Sequence, residues 1–409
     1  MTGLGTTGGT VMFRPVWLLV AAVLCLSLEG CSNEVPRTVT TVGRATVAAP
    51  KHAPPVSKAT SQPALVQTRE PPPFTILAGG DESADNRLVL DFATALERNR
   101  LRLGRSQGPE QDLLTLLHNP GIDVALIPTD AIESLPRQVR AGAHEHLRYL
   151  FRVPGQRLHI LARRDITTIY DLSGRKIDIG QPGSGSSLTT HLIFDKLGIK
   201  PEFTSSDRIT AFQHLRSNEI QAMVLLASDS SKDVLAFASD GDFHLVPISF
   251  EALASLLEEL IVHYAPSQFS GEEYPNLVEP GQQVETIAVT RVLALRNWPE
   301  GSAHYERLAD LSEAVSTYWF DEFQKPAGHG IDLAQQALGW KRFRPTEILL
   351  ARRAQQAEER RAFEEFTGAQ GVCPLLDAAA RERLFDAFLA WRRTREQDPN
   401  SAGSASDKK

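Results

Sequence analysis

From Phe74 onward, short apolar runs alternate with amphipathic segments. The apolar runs predict strands at 74–78, 100–104, 122–127, 158–162, 176–179, 221–226, 244–248 and 286–295. Apolar spacing of three and four residues predicts helices at 87–99, 110–118, 187–197, 232–238 and 303–323. Strands that alternate with helices of about ten residues indicate βαβ units and a parallel sheet.

Two of the predicted strands suggest how the chain is divided. The apolar runs at 158–162 and 286–295 flank a second series of alternating strands and helices. The pattern therefore predicts an α/β fold of two lobes, with a sheet rich in parallel strands in each lobe. Residues 74–158 and 287–345 would form lobe 1, and residues 159–286 would form lobe 2.

The segment from 346 to 395 has a different character. Stretches 346–366 and 377–395 are helical in pattern, strongly charged and mixed in sign, and Leu384, Phe388 and Trp391 form an apolar stripe. This helical extension predicts either a solvated hairpin that packs on the body or a helix that docks a partner. Residues 396–409 predict a disordered tail.

The N-terminal segment predicts export. Arg14 precedes the apolar run Val16–Leu28, which is too short for a spanning helix of about 20 residues. The run ends in Leu28-Glu29-Gly30-Cys31, which resembles a bacterial lipobox with Glu29 where a small residue is usual. We therefore expect residues 1–31 to be a signal peptide, with Cys31 as the lipidation site. A plain secretory signal or an uncleaved anchor is the alternative.

A tether is expected between this segment and the folded body. Residues 32–73 are rich in Pro, Thr, Ala, Val and Ser and show no apolar periodicity. The prediction is a disordered tether that holds the body away from a membrane, so the protein is expected in the periplasm as a membrane-tethered lipoprotein.

Composition excludes several classes. The 409-residue chain is 42% hydrophobic and has a formal net charge of −7, which gives no basic footprint for nucleic acid. Its three cysteines, Cys25, Cys31 and Cys373, are too few for a disulfide scaffold or a Cys-rich zinc cluster.

The strongest local motif is a glycine- and serine-rich turn between a strand and a helix, Ile179–Leu188. Unsatisfied N–H groups at a helix N-terminus attract a carboxylate or a phosphate. The turn is not a nucleotide-binding P-loop, because Ser186 stands at the position of the lysine. A tight turn with serine capping and no ligand is the alternative.

Other strand-to-helix turns predict a shared cleft, since ligands of open α/β sheets bind outside the carboxyl ends of strands. Such turns lie at 79–81, 106–109, 129–130 and 227–230. Together they predict a site for a small anionic ligand. The candidate ligand-binding residues are Ser106, Gln107, Gly108, Thr129, Asp130, Gly183, Ser184, Gly185, Ser186 and Ser187.

Signals for catalysis are weak. The histidines, among them His159 and His263, show no metal-binding spacing, and the carboxylate pairs at 81–82 and 258–259 are adjacent rather than opposed. No enzyme activity, cofactor or metal is expected.

Three stretches of the chain resemble solute-binding proteins of the TAXI family, the extracytoplasmic receptors of TRAP transporters. Residues 163–187, with their Pro-Gly-Ser-Gly turn, carry most of the resemblance, and residues 123–130 and 284–295 support it. The resemblance covers roughly residues 74–325. It implies a two-lobed type II periplasmic-binding-protein-like fold that closes on organic acids or amino acids and delivers them to TRAP membrane subunits.

Two departures from the family pattern bear on the ligand. The segment 81–86 lacks the usual glycine-rich stretch with an aromatic residue, and 227–231 replaces a small Gly/Pro loop. Two other functions stay open: a binding protein of an ABC importer, and an envelope sensor or scaffold lipoprotein that uses the same fold without transport.

Overall fold

The computed structural model describes residues 72–78, 88–89, 93–94, 96, 100–228, 234–235, 242–323, 333–370 and 377–397. Several expectations lie outside these residues. They are the signal peptide with Cys31, most of the tether, the loop at 81–86, and most of the helices expected at 87–99 and 232–238. Cys373 and residues 398–409 of the tail lie outside them too.

Ten strands and nine helices are defined within the described part of the chain. The strands are β1 Phe74–Ala78, β2 Leu101–Arg105, β3 Val124–Pro128, β4 Leu147–Arg163, β5 Lys176–Asp178, β6 Glu202–Thr204, β7 Ala222–Ala227, β8 Phe243–Leu245, β9 Tyr264–Ser270 and β10 Gln283–Arg296. The helices are α1 Pro109–His118, α2 Ala131–Ser134, α3 Arg137–His146, α4 Gly185–Leu197, α5 Arg208–Arg216, α6 Phe250–Leu257, α7 Ala303–Phe323, α8 Arg344–Gln370 and α9 Ala378–Gln397.

The strands form one sheet in the order β2-β1-β3-β10-β4-β7-β5-β6, with β8 paired to β4 and β9 to β10. β1 is parallel to β2 and β3, and β5 is parallel to β6 and β7. We call the part of the sheet with β1–β3 and the helices beside them, within 74–146, the first half. The part with β5–β8 and the helices between them, within 176–245, is the second half. The α/β class predicted from the sequence is confirmed, and each half contains the parallel pairs expected of it.

Two long antiparallel strands, β4 and β10, run through both halves. Their pairing shifts register between Val289, opposite Gln156, and Arg291, opposite Val153, so β4 carries one extra residue at Pro154–Gly155. A Cβ on Gly155 would lie 2.7 Å from the carbonyl oxygen of Val289, so the backbones approach closely there. An extra residue of this kind bends a strand and increases its twist.

The core follows the apolar runs. One cluster in the second half packs β4, β7 and α4, through residues such as Ile160, Val224 and Phe194. A cluster in the first half packs β1 against α7, through Ile76 and Leu311. These buried faces explain why the strands read as nearly continuous apolar runs.

Residues 70–355 form one compact unit, and from Gln356 onward the chain belongs to another. Helix α9 and the part of α8 from Gln356 onward lie in that second unit, in the segment expected to be helical. The Phe363 ring lies 5.3 Å from the ring of Phe385 and 5.6 Å from that of Phe388. Arg360 pairs with Glu382 at 3.1 Å across the two helices. No helix among the described residues has both the length and the apolar character to cross a bilayer.

Candidate functional site

A cavity of about 300 Å³ lies between the two halves of the sheet. Its walls come from the turn before α1, from the turn before α4 and from the start of α5. Gln156 and Arg291, on the two crossing strands, also line it. Three helices therefore begin at this cavity, and the N–H groups of their first turns have no partner within the helix.

The turn before α4 is built to present its backbone. Gly180 and Gly183 have φ angles of 79° and 77°, in the left-handed region that glycine adopts most readily. Ser184 caps the helix, since its Oγ accepts a hydrogen bond of 3.2 Å from the Ser187 amide. Ser186 Oγ accepts a hydrogen bond of 2.9 Å from the Leu226 amide, so this hydroxyl also ties α4 to β7. The serine pattern thus explains both the capping and the position of the helix.

The turn before α1 is held by a carboxylate that the sequence analysis did not single out. Asp112 accepts hydrogen bonds from the Ser106 hydroxyl and from the Gln107 amide, the latter at 2.9 Å. Burial raises the pKa of Asp112, and these two hydrogen bonds act in the opposite direction. Asp112 lies in the first turn of α1, so the helix fixes the loop that precedes it.

These two turns touch each other across the cavity. Gly108 has a φ of 105°, and a Cβ placed on it would lie 2.1 Å from the carbonyl oxygen of Gly183. A Cβ on Gly183 would instead lie 3.8 Å from the Gln107 oxygen, which is ordinary contact. The contact between the halves at this point is therefore backbone against backbone, and it requires glycine at position 108.

Charged side chains of both signs line the cavity. Arg291 is buried, and its Nε donates to the carbonyl oxygen of Pro154 at 3.0 Å, which ties the guanidinium to the register shift in β4. Arg208 begins α5. Asp178 accepts from the Gly180 amide at 2.9 Å, and Asp207 accepts from the Thr210 amide at 3.0 Å. Asp178 thus holds the turn before α4, and Asp207 caps α5.

Seven of the ten candidate residues lie together on the cavity wall, namely Ser106, Gln107, Gly108, Gly183, Ser184, Gly185 and Ser186. The other three, Thr129, Asp130 and Ser187, are not part of that wall. Thr129 and Asp130 follow β3 but are completely buried. Asp130 accepts hydrogen bonds from the Thr189 and Tyr264 hydroxyls instead of facing the cavity. The Ser187 amide is used by the cap.

Several residues of the wall were not predicted from the sequence. Arg291 interrupts the apolar run of β10. A lone arginine in a buried strand indicates a functional or structural partner, so this residue could have been predicted from the sequence. Gln156, Asp178 and Arg208 gave no comparable pattern, because their position on the cavity depends on how distant strands pair.

Residues 105–306, which carry most of the cavity wall, match the NMT1-like family.

The solved structures that this chain is similar to include proteins described as substrate-binding or periplasmic binding proteins. One is an amino acid ABC transporter substrate-binding protein from Streptococcus pneumoniae bound to L-arginine. It is 12% identical over 61% of this chain and 89% of its own, with a TM-score of 0.34. Another is an ABC transporter periplasmic binding protein from Brucella ovis with glutathione bound. It is 11% identical over 62% of this chain and 69% of its own, with a TM-score of 0.36. An arginine transport binding protein from Legionella pneumophila is 11% identical over 62% of this chain and 95% of its own, with a TM-score of 0.34.

Proposed function

We propose that this protein is an extracytoplasmic solute-binding receptor that holds a small anionic organic ligand between the two halves. One observation carries the proposal: three helices begin at a single cavity that two arginines, Arg208 and Arg291, also line. Each helix N-terminus is equivalent to roughly half a positive charge, so their convergence favours a carboxylate or a similar anion. The match to the NMT1-like family is consistent with this proposal.

The acidic residues of the wall do not oppose the proposal. Asp112 and Asp178 accept hydrogen bonds from amides of the turns, and Asp207 caps α5 by accepting from the Thr210 amide, so the three carboxylates stabilise the segments that line the cavity. An organic acid satisfies the donors directly. An amino acid would need one carboxylate to turn toward its ammonium group as well.

A thermal-shift screen of organic acids, amino acids and cations tests the proposal. A compound that binds only the native state stabilises it and so raises the melting temperature. At a free ligand concentration of a hundred times the dissociation constant, the stabilisation is about 2.7 kcal/mol. We expect stabilisation by anions and none by simple cations. A screen in which no acid raises the melting temperature would contradict the receptor assignment.

Two serines at the cavity distinguish a ligand site from a purely structural turn. Ser186→Ala removes a hydroxyl donor from the wall, and we expect it to weaken binding by roughly ten- to a hundredfold, since hydrogen bonds to charged groups contribute about 1.5–3 kcal/mol. Ser184→Ala removes the helix cap and is expected to lower stability more than affinity. If Ser186→Ala lowered stability alone, the turn would have no ligand role.

We further propose delivery to a TRAP-type transporter by a receptor attached to the membrane through a lipid on Cys31. This rests on the sequence resemblance and the lipobox-like motif. Cys31→Ala should release the protein into the soluble periplasmic fraction, because acyl chains would be its only apolar attachment. Continued membrane association of that variant would argue against lipidation.

A scaffold or sensor function is the second candidate, because α9 and the part of α8 from Gln356 onward pack on each other in a unit of their own. Phe366, Phe388 and Trp391 form a continuous aromatic cluster between the two helices, with ring centroids 5.4–6.2 Å apart. Deletion of residues 371–409 should leave ligand binding intact in a simple receptor. It should abolish partner capture if the hairpin carries a signal.

A further inference from the structure

A buried polar network joins the two halves away from the cavity wall. Asp130 follows β3 in the first half, and its Oδ2 accepts a hydrogen bond of 2.7 Å from the hydroxyl of Thr189 in α4. The same oxygen accepts a hydrogen bond of 3.2 Å from the hydroxyl of Tyr264 at the start of β9. Asp130 and Thr189 are fully buried, and Tyr264 is nearly so. One carboxylate therefore connects three elements that are far apart in sequence.

A second polar pair lies beside this network. His263 Nε2 lies 3.6 Å from Glu133 Oε1. Glu133 also forms an ion pair with Arg140, whose guanidinium lies 2.6 Å from Oε2. His263 acts on Asp130 through its charge and Tyr264 through a hydrogen bond, and Glu133 interacts with both His263 and Tyr264. The pair therefore lies next to the network, since His263 precedes Tyr264 in the chain.

The carboxylate is poorly explained as a source of stability alone. Burial raises the pKa of Asp130, although Thr189, His263 and Tyr264 all act to lower it. Buried charged groups often contribute less to stability than apolar side chains of the same size would, and some are retained because they fix geometry. A role of Asp130 in fixing the positions of the elements it connects therefore explains the buried carboxylate better.

That geometry concerns the helix at the cavity. Thr189 lies one turn beyond Ser184–Ser186, and Thr190 in the same turn donates to the Ser186 carbonyl oxygen at 2.6 Å. Fixing Thr189 therefore fixes the first turn of α4, whose residues Gly185 and Ser186 line the cavity. A shift of α4 relative to the first half would alter the distance between the turns at Gly108 and Gly183.

We propose that Asp130 is a positioning residue, which sets the separation of the two halves by holding α4 through Thr189. The consequence for ligand affinity rests on the proposed receptor function, whereas the structural effect does not. Asp130 would thus act on the site through the helix and would not touch the ligand.

A matched pair of substitutions tests the proposal in the full chain without ligand. Thr189→Val removes one buried hydroxyl that makes a hydrogen bond of 2.7 Å between the halves. Thr346→Val makes the same chemical change at a buried hydroxyl that also makes a bond of 2.7 Å, to Ser312, between α7 and α8. Both variants should lose a similar amount of thermal stability.

The readout is the distance between nitroxide labels on cysteines introduced at the exposed positions His118 and Ser217, one in each half, with native cysteines replaced by serine. We expect Thr189→Val to lengthen and broaden the distance distribution, Thr346→Val to leave it unchanged, and Thr189→Ser, which keeps the hydroxyl, to restore it.

An unchanged distance in Thr189→Val would overturn the proposal, and so would an equal change in both valine variants, because that result would indicate general loosening. If Thr189→Val does not fold, failure of Thr189→Ser to match the wild-type distance would overturn it as well. The outcome is independent of the ligand screen, so the positioning role and the receptor function can fail separately.

Discussion

Two of the contacts between the halves of the sheet differ in chemistry. At the cavity, Gly108 and Gly183 touch through backbone atoms alone, and Gly183 is exposed. At the other contact, Asp130 binds Thr189 and Tyr264 in a fully buried network. Separating Gly108 from Gly183 would expose few new groups to water, because Gly183 is already exposed. Opening the second would leave a carboxylate and two hydroxyls to find new partners. The glycine contact is therefore suited to separate, and the buried network to stay closed.

The largest expected effect comes from adding one methyl group at the glycine contact. Gly108→Ala places a Cβ against the Gly183 carbonyl at a φ that only glycine tolerates well. We expect the halves to be held apart and binding of the screened ligand to weaken roughly a hundredfold, which corresponds to about 2.7 kcal/mol. Titration calorimetry measures the loss.

Gly183→Ala is the control, because it also adds a methyl group at positive φ but has room for it. Equal loss of affinity in both variants would show that backbone conformation, and not the contact between the halves, is responsible.

The buried cluster around His159 serves as a comparison for the Asp130 network, because its hydrogen bonds do not connect the two halves. His159 is completely buried, donates from Nδ1 to the Arg157 carbonyl oxygen and accepts at Nε2 from Tyr274. Burial lowers its pKa from 6.5 to about 3, with a further contribution from the charges of Arg157 and Arg208.

Because this pKa is lower in the folded state, the stabilising effect is present above pH 6.5 and is lost as the pH falls toward 3. Between pH 6 and 4, wild-type protein should lose about 2–3 kcal/mol more than His159→Gln. Urea unfolding at several pH values tests this. Parallel pH profiles for the two proteins would show that His159 is not the group responsible.

Two tyrosines separate stability from positioning. Tyr264→Phe removes a donor to Asp130, and Tyr274→Phe removes the donor to His159 at 2.9 Å. Each should lower the free energy of unfolding by about 1–2 kcal/mol. Only Tyr264→Phe should change the label distance between the halves. A change in both would remove the distinction between the two clusters.

The smallest effect concerns the cap of α4. Ser184→Ala should lower stability by about 1 kcal/mol, and Ser184→Gly by only a few tenths, since glycine is itself an acceptable capping residue. Thermal unfolding without ligand measures both. A larger loss in the glycine variant would mean that the Ser184 side chain contributes something other than capping.

The sequence predicts the local features of this molecule well and the distant ones poorly. The strand, turn and helix around Gly183 follow from apolar periodicity and from glycine and serine at their positions. The first part of β4 was not predicted, because Arg152, Pro154 and Gly155 interrupt its pattern. Helix α5 was missed for a similar reason, since its apolar positions are few.

Asp130 shows the limit for the site. Its position after a strand predicts a side chain at the ligand edge, yet the carboxylate is directed to α4 and β9. The partner residues lie 59 and 134 positions away along the chain. No local pattern encodes such pairs, which depend on how the strands are ordered in the sheet.

The extra residue at Pro154–Gly155 means that the number of residues between the halves matters as well as their identity. Removing one residue there would remove this register shift and reduce the bend at this point, while the second shift, between Val292 and Ala294, would stay. The Pro154 carbonyl that holds Arg291 would move at the same time. Chain length in this segment is thus a determinant of cavity shape, and a single deletion should alter binding where many substitutions would not.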